Sequence, residues 1–114
     1  GLMFGCASFH GVNIKEHMHA ISYLYHYHMA PEDIRPVALP AQYNNMNLMP
    51  KEEVVPRAAI NALPPLIKGY IRLNGNVGDG AVLDYAYNTC DVSIIVETEQ
   101  LKARYTDRYM PEKE

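Results

Sequence analysis

The sequence predicts an α+β unit, two or three strands with helices packed around them, on three observations. Leu2-Met3-Phe4-Gly5-Cys6-Ala7-Ser8-Phe9 is an apolar run without alternation. Ile14, Met18, Ile21, Tyr25 and His28 recur at helical spacing, and Cys90, Val92, Ile94 and Val96 alternate with Asp91, Ser93 and Glu97. These are the patterns of a strand buried on both faces, an amphipathic helix and a half-buried strand. At 114 residues, 48% hydrophobic and 20% charged, one globular domain is the limit.

Taken in order, a strand over Leu2 to Phe9 needs neighbours on both sides. Because the chain enters it directly from Gly1, further sequence upstream is expected. Asn13 followed by Glu16 forms a capping signal for a helix of about four turns reaching His28. Prolines at 31, 36, 40 and 50 prevent a long helix and leave room for a short edge strand over Ile34 to Leu39. Pro56 opens a short helix through Ala62, and Leu63, Leu66, Ile67, Tyr70 and Ile71 stripe a second, with Pro64 and Pro65 in its first turn. Asn74 to Gly80 is a glycine-rich turn region. Thr98 caps a last helix carrying Leu101 and Tyr105, and Pro111 to Glu114 is a polar tail, so the domain spans 1–110.

A formal charge of -3 offers no broad basic field, which sets nucleic acid aside as principal partner. No apolar run approaches the roughly 20 residues of a membrane helix and no leader is visible, so the chain reads as cytoplasmic. Cys6 and Cys90, both inside apolar runs, read as buried reduced thiols. The five histidines, at 10, 17, 19, 26 and 28, lack the three- or four-residue spacing of a helical metal site and read as packing or surface groups. Gly75-Asn76-Val77-Gly78-Asp79-Gly80 lacks the Lys-Ser/Thr of a P-loop and shapes a turn. Lys68 and Arg72, four residues apart on one helix, form either a solvated face or an anion site. Asp84 and Asp91 either offer charge to an amine or cap loops and face water.

Leu63-Pro-Pro-Leu-Ile-Lys-Gly-Tyr-Ile-Arg-Leu73, Val77-Gly-Asp-Gly-Ala-Val82, Asp84 and Asn88-Thr-Cys-Asp-Val92 together resemble the C-terminal signature of the ornithine acyl-ACP N-acyltransferases, also labelled haemolysins. Phe4-Gly-Cys-Ala-Ser-Phe9, Tyr23-Leu24-Tyr25-His26 and Ala38-Leu39-Pro40 fit the same family, so the resemblance covers nearly the whole chain. It implies the C-terminal half of a GNAT-like fold related to the acyl-homoserine lactone synthases, with an incomplete mixed sheet and flanking helices. Leu2 to Phe9 would be the fifth GNAT strand, and the pantetheine-binding turn and acidic residue would lie upstream.

The implied reaction moves a 3-hydroxyacyl group from acyl carrier protein, as its phosphopantetheine thioester, or from acyl-CoA, to the α-amine of ornithine, with no bound cofactor or metal. By resemblance Tyr25 protonates the departing thiolate, although a tyrosine on the packed face of a helix fits equally. Cys6, Ser8, Lys68, Arg72 and Asp84 would line the substrates. Cys90 stands where a threonine and Tyr87 where a phenylalanine is expected, which leaves the acceptor open. Acyl carrier protein and ornithine are the implied partners, and the cytoplasm, with the inner-membrane face as a peripheral station, is the implied location. The alternatives are another amine acceptor and a non-catalytic binding module built on nine tyrosines and six methionines. The 114-residue chain alone is expected to be inactive and to associate through the edge of its first strand.

Overall fold

The computed structural model describes residues 1–109, with side chains as far as residue 103; the Tyr105 side chain and the tail Pro111 to Glu114 lie outside the described residues. Strand β1 (Leu2–His10) leads through a 3-10 turn (Ile14–His17) into α1 (Met18–Tyr27). A connecting segment with three further 3-10 turns precedes α2 (Pro56–Asn61) and α3 (Pro65–Arg72). Strands β2 (Asn76–Val77), β3 (Val82–Asp84) and β4 (Thr89–Glu97) follow, and α4 (Thr98–Tyr109) runs on from β4.

β4 is the centre of the sheet. β1 pairs with it antiparallel from Leu2↔Glu97 to His10↔Thr89, while β2 and β3 share its other side at Asn76↔Ile95 and Val82↔Asp91. The sheet is therefore antiparallel rather than mixed as expected. Parallel contact among the described residues is confined to isolated bridges, Met29↔Val77 and Val37↔Asp79. Prolines explain why these do not extend. Pro31 follows Met29 closely, and Val37 lies between Pro36 and Pro40, which have no N–H to donate. The expected edge strand over Ile34 to Leu39 is thus reduced to Asp79 donating to Pro36 O at 2.8 Å and accepting from Ala38 N at 2.9 Å.

Side chains alternate across a strand, and the core takes one face of the sheet only. Ala7 and Phe9 of β1 join Cys90, Val92, Ile94 and Val96 of β4 and Val77 of β2 against Ala20, Ile21, Tyr23 and Leu24 of α1, Ala59 of α2 and Ile67 of α3. The helices form one layer over that face. β1 is consequently not buried on both sides: Leu2, Phe4, Cys6, Ser8 and His10 are exposed, and Cys6 is an exposed thiol where a buried one was expected. Cys90 is buried, and burial, with the charge of Asp91 second, pushes its thiol up to about 11.

The helix reading needs two adjustments. Asn13 caps a 3-10 turn, accepting from Lys15 N at 3.2 Å, before the α-helix begins at Met18. α3 starts at Pro65, so Leu63 is a buried residue ahead of the helix and Leu66 is 59% exposed. Ile67 faces the core, and Leu66, one residue away on a 100° step, turns outward.

Four of the five histidines act as struts. His17 Nε2–H donates to Gly11 O at 3.2 Å and His26 Nε2–H to Met49 O at 2.8 Å; His19 Nε2 accepts from Val55 N at 2.9 Å; His28 Nε2 and the Tyr23 hydroxyl share a hydrogen bond of 2.9 Å. With Ser22 Oγ accepting from Leu48 N at 3.2 Å, the His19 and His26 bonds fasten the proline-rich segment to α1 where regular structure is lacking, while His17 ties the turn at Gly11 to the start of α1 and His28 closes its end against Tyr23.

Candidate functional site

The face of the sheet away from the helices carries most of the polar residues that the sequence singled out. Register puts Leu2, Phe4, Cys6, Ser8 and His10 of β1 beside Glu97, Ile95, Ser93, Asp91 and Thr89 of β4, and Val82 and Asp84 of β3 beyond Asp91 and Thr89. The face is graded along the strands. One end is apolar, with Phe4 56% exposed and Ile95 buried outside the core cluster. The other end holds Ser8, His10, Asp84, Thr89 and Asp91.

Across the central pair, Ser8 Oγ–H donates to Asp91 Oδ1 at 2.6 Å, the short separation of a hydroxyl held by an ionised carboxylate. The bond leaves Asp91 with acceptor capacity and fixes where its oxygens lie. Asp84 sits diagonally from Asp91, a relation that spans roughly 7 to 8 Å on an antiparallel sheet. Its Oδ1 accepts from Tyr87 N at 3.1 Å and shapes the turn into β4, where Asn88 takes φ 57. No Lys or Arg stands on this face of β1, β3 or β4. The carboxylates therefore give it a negative potential suited to an ammonium group.

The remaining expected site residues lie in the helix layer. Tyr25 is half-buried on α1 against the core, with its ring edge-on to His26 at 5.0 Å. Lys68 (half-buried) and Arg72 (exposed) lie on α3, and neither has an ion pair among the described residues. The fold thus brings Cys6, Ser8 and Asp84 together on one side of the sheet and places Tyr25, Lys68 and Arg72 on the other. His10, Thr89 and Ser93 join the first group only through strand register. Residues eighty apart in the chain meet there, which periodicity alone could not reveal.

A concavity of about 240 Å³ is lined by Ala41, Gln42, Tyr43, Asn44, Leu83 and Tyr85. The Tyr43 hydroxyl donates to Asp79 Oδ1 at 2.7 Å, and this bond, then burial, raises the phenol above its ordinary range. Asn44 Nδ2 donates to Ala81 O at 3.1 Å. Among the described residues no group of three or more His, Cys, Asp and Glu side chains is placed to hold a metal ion, and no helix is long and apolar enough to cross a membrane.

Fold and face together define an α+β unit that sets an acidic, partly apolar sheet face opposite a layer of helices. Three proteins named L-ornithine N(alpha)-acyltransferase are similar to nearly all of it. The Brucella abortus protein is 46% identical over 108 residues, 95% of this chain. That of Agrobacterium fabrum is 46% identical over 112 residues, 98% of the chain, and that of Rhizobium meliloti 47% over 107 residues, 94% of the chain. The chain belongs to this family, and it spans 36 to 38% of the length of these three relatives. No family model and no solved structure matches it.

Proposed function

We propose that this chain is the acceptor side of an N-acyltransferase that moves a 3-hydroxyacyl group to the α-amine of ornithine, the first step toward an ornithine lipid. The observation that carries the reading is identity of 46 to 47% over 94 to 98% of the chain with proteins of that name. The donor is a thioester, on the phosphopantetheine of acyl carrier protein or on coenzyme A, and the architecture is the C-terminal half of a GNAT-like fold. A cytoplasmic location, at the inner-membrane face where the lipid product would partition, goes with it.

The amine lone pair attacks the thioester carbonyl carbon, the C–N bond forms, the C–S bond breaks, and sulfur leaves as a thiolate that takes up a proton. The thioester is already activated, so the protein's task is to orient the amine and remove its proton. The open sheet face suits the first; by the family resemblance the acidic residue that takes the proton lies upstream of this chain. Asp91, positioned by Ser8, and Asp84 attract the cationic amino acid, His10 lies within the same polar end, and Phe4 and Ile95 offer an apolar bed to the acyl chain. Lys68 and Arg72, on the helix side, supply a cationic surface for an acidic carrier protein, and Tyr25, with the sheet between it and Asp91, serves as a packing residue of α1.

The test is a chimera in which this chain replaces the matching segment of the Agrobacterium fabrum relative. Asp91→Asn in that chimera raises KM for ornithine while leaving KM for the acyl donor near its starting value; Tyr25→Phe leaves kcat and both KM values near theirs. Unchanged kinetics in Asp91→Asn would remove the acidic face from the mechanism, and a lowered kcat in Tyr25→Phe would place the tyrosine in it.

A further inference from the structure

We propose that the concavity between residues 41–44 and β3 is a binding site for one N-acylated α-amino-acid residue, held in extended form by both backbone groups of Leu83. The phase of the backbone from Val77 onward sets the argument. Val77 N donates to His28 O at 2.8 Å, and Val77 O accepts from Ala30 N at 2.9 Å. Asp79 makes the same two bonds, to Pro36 O at 2.8 Å and from Ala38 N at 2.9 Å, and Ala81 exchanges both with Asn44, at 2.9 and 3.0 Å. Odd-numbered residues of this stretch thus turn their N–H and C=O groups away from β4, while Val82 and Asp84 pair with Asp91 and Thr89. Leu83 is the next of the series. Among the described residues no strand or loop takes its outward groups, and Leu83 forms a wall of the concavity.

The gap is one residue wide. Continued from Asn44↔Ala81, the antiparallel register would set Gln42 opposite Leu83. Pro40 instead opens the 3-10 turn Pro40–Gln42, in which Gln42 N donates to Leu39 O at 2.8 Å and Gln42 O accepts from Asn44 Nδ2 at 3.2 Å. Both groups that would have met Leu83 are engaged elsewhere. Asn44 Nδ2 also donates to Ala81 O at 3.1 Å, so the wall is fixed and Asn44 Oδ1 stays available as an acceptor.

An antiparallel hydrogen-bonded pair exchanges two bonds, each residue using its own N–H and its own C=O. The occupant therefore carries an N–H and a carbonyl on one α-carbon. The lining residues bear no charge, which favours an acylated nitrogen over an ammonium. A volume of about 240 Å³ is below the roughly 300 to 1,000 Å³ of sites that enclose a drug-sized molecule, so one residue enters and a long acyl chain stays outside. Such a residue is formed by acylation of ornithine and is also the repeating unit of any peptide. The choice of ornithine as probe rests on the acyl-transfer reading; the site does not. It stands at the edge of the sheet away from β1, and its walls are internal to the chain.

Hydrogen exchange of the Agrobacterium fabrum chimera, resolved to the Leu83 amide, tests this without reference to turnover, so loss of acyl transfer and loss of this site are told apart. Saturating Nα-acetyl-L-ornithine or its C-terminal methylamide should slow exchange of that amide about tenfold or more and leave Val82 and Asp84, bonded to β4, unchanged. Tighter binding of the free acid assigns the site to the acylated product, and tighter binding of the methylamide assigns it to a peptide. The Nα-methyl derivative of acetylornithine, which has no N–H for Leu83 O, should give no protection. Ala41→Trp, which fills the concavity from an exposed position, should abolish protection by either probe while the melting temperature holds. A Leu83 amide already protected before any probe is added, exchange unaltered by both acetylated probes, equal protection by the Nα-methyl derivative, or protection retained in Ala41→Trp would each overturn the proposal.

Discussion

Alanine in place of Gly80 probes how the loop over 41–44 is held against the sheet. Gly80 has φ +94, and a Cβ there would stand 2.5 Å from Tyr43 Cδ2, 2.7 Å from Cε2 and 3.0 Å from Ala38 Cβ. The Tyr43 ring cannot yield freely because its hydroxyl is bonded to Asp79 at 2.7 Å. Three contributions add. Positive φ on a non-glycine residue costs about 1 to 3 kcal/mol, crowding about 1 to 3 kcal/mol, and disruption of the Tyr43–Asp79 bond about 0.5 to 1.5 kcal/mol.

Reduced freedom of the unfolded chain offsets roughly 0.4 to 1 kcal/mol. The balance is a loss of about 4 kcal/mol, which for a domain of this size lowers Tm by roughly 16 to 32 °C. In a Tyr43→Ala background the crowding by the ring and the bond are both gone, so Gly80→Ala should cost only about 1 to 2 kcal/mol there. Urea melts of the two single variants and the double variant measure the coupling. A Gly80→Ala cost equal in the two backgrounds would refute the close approach of ring and backbone.

Thiol reactivity at mildly alkaline pH should show Cys6 reacting at once and Cys90, buried with its thiol pushed up to about 11, reacting only on denaturation; two fast thiols in the native chain would contradict the core. Burial lowers the pKa of His28 from 6.5. Its contribution to stability is therefore full above that value and is lost as pH falls from 6.5 through the lower folded value, because the unfolded chain takes the proton first. Thermal melts against pH should show that slope and lose it in His28→Gln. In the chimera, Lys68→Gln with Arg72→Gln should raise KM for acyl carrier protein and leave KM for an acyl-CoA donor unchanged; equal effects on both donors would exclude a docking role.

Legibility in the sequence followed the range of the interactions involved. The alternation of β4 and the helix opened by Pro56 are written in neighbouring residues and appear as expected, and α1 does so from Met18 onward, its first expected turn being a 3-10 turn. β1 was readable as a strand, but the faces it buries depend on what packs there, and in this chain helices cover the Ala7 and Phe9 side alone. Cys6 is exposed for that reason, although its local run is as apolar as that around Cys90. The prolines at 36 and 40 marked an interrupted segment without showing that Val37 would touch Asp79 as a single bridge. At the candidate site, Ser8 and Asp91 are unremarkable surface residues in isolation. Only the antiparallel register that pairs them brings a hydroxyl to a carboxylate, and that register follows from two nine-residue strands joining opposite ends of the chain.

The central claim is that this chain supports acyl transfer to ornithine. Its most direct test is formation of Nα-acylornithine from a 3-hydroxyacyl thioester by the chimera carrying this chain in the Agrobacterium fabrum relative. The account predicts product at the α-amine, dependent on ornithine and reduced by Asp91→Asn. A folded chimera that consumes no thioester in the presence of ornithine, while the parent relative does, would contradict it.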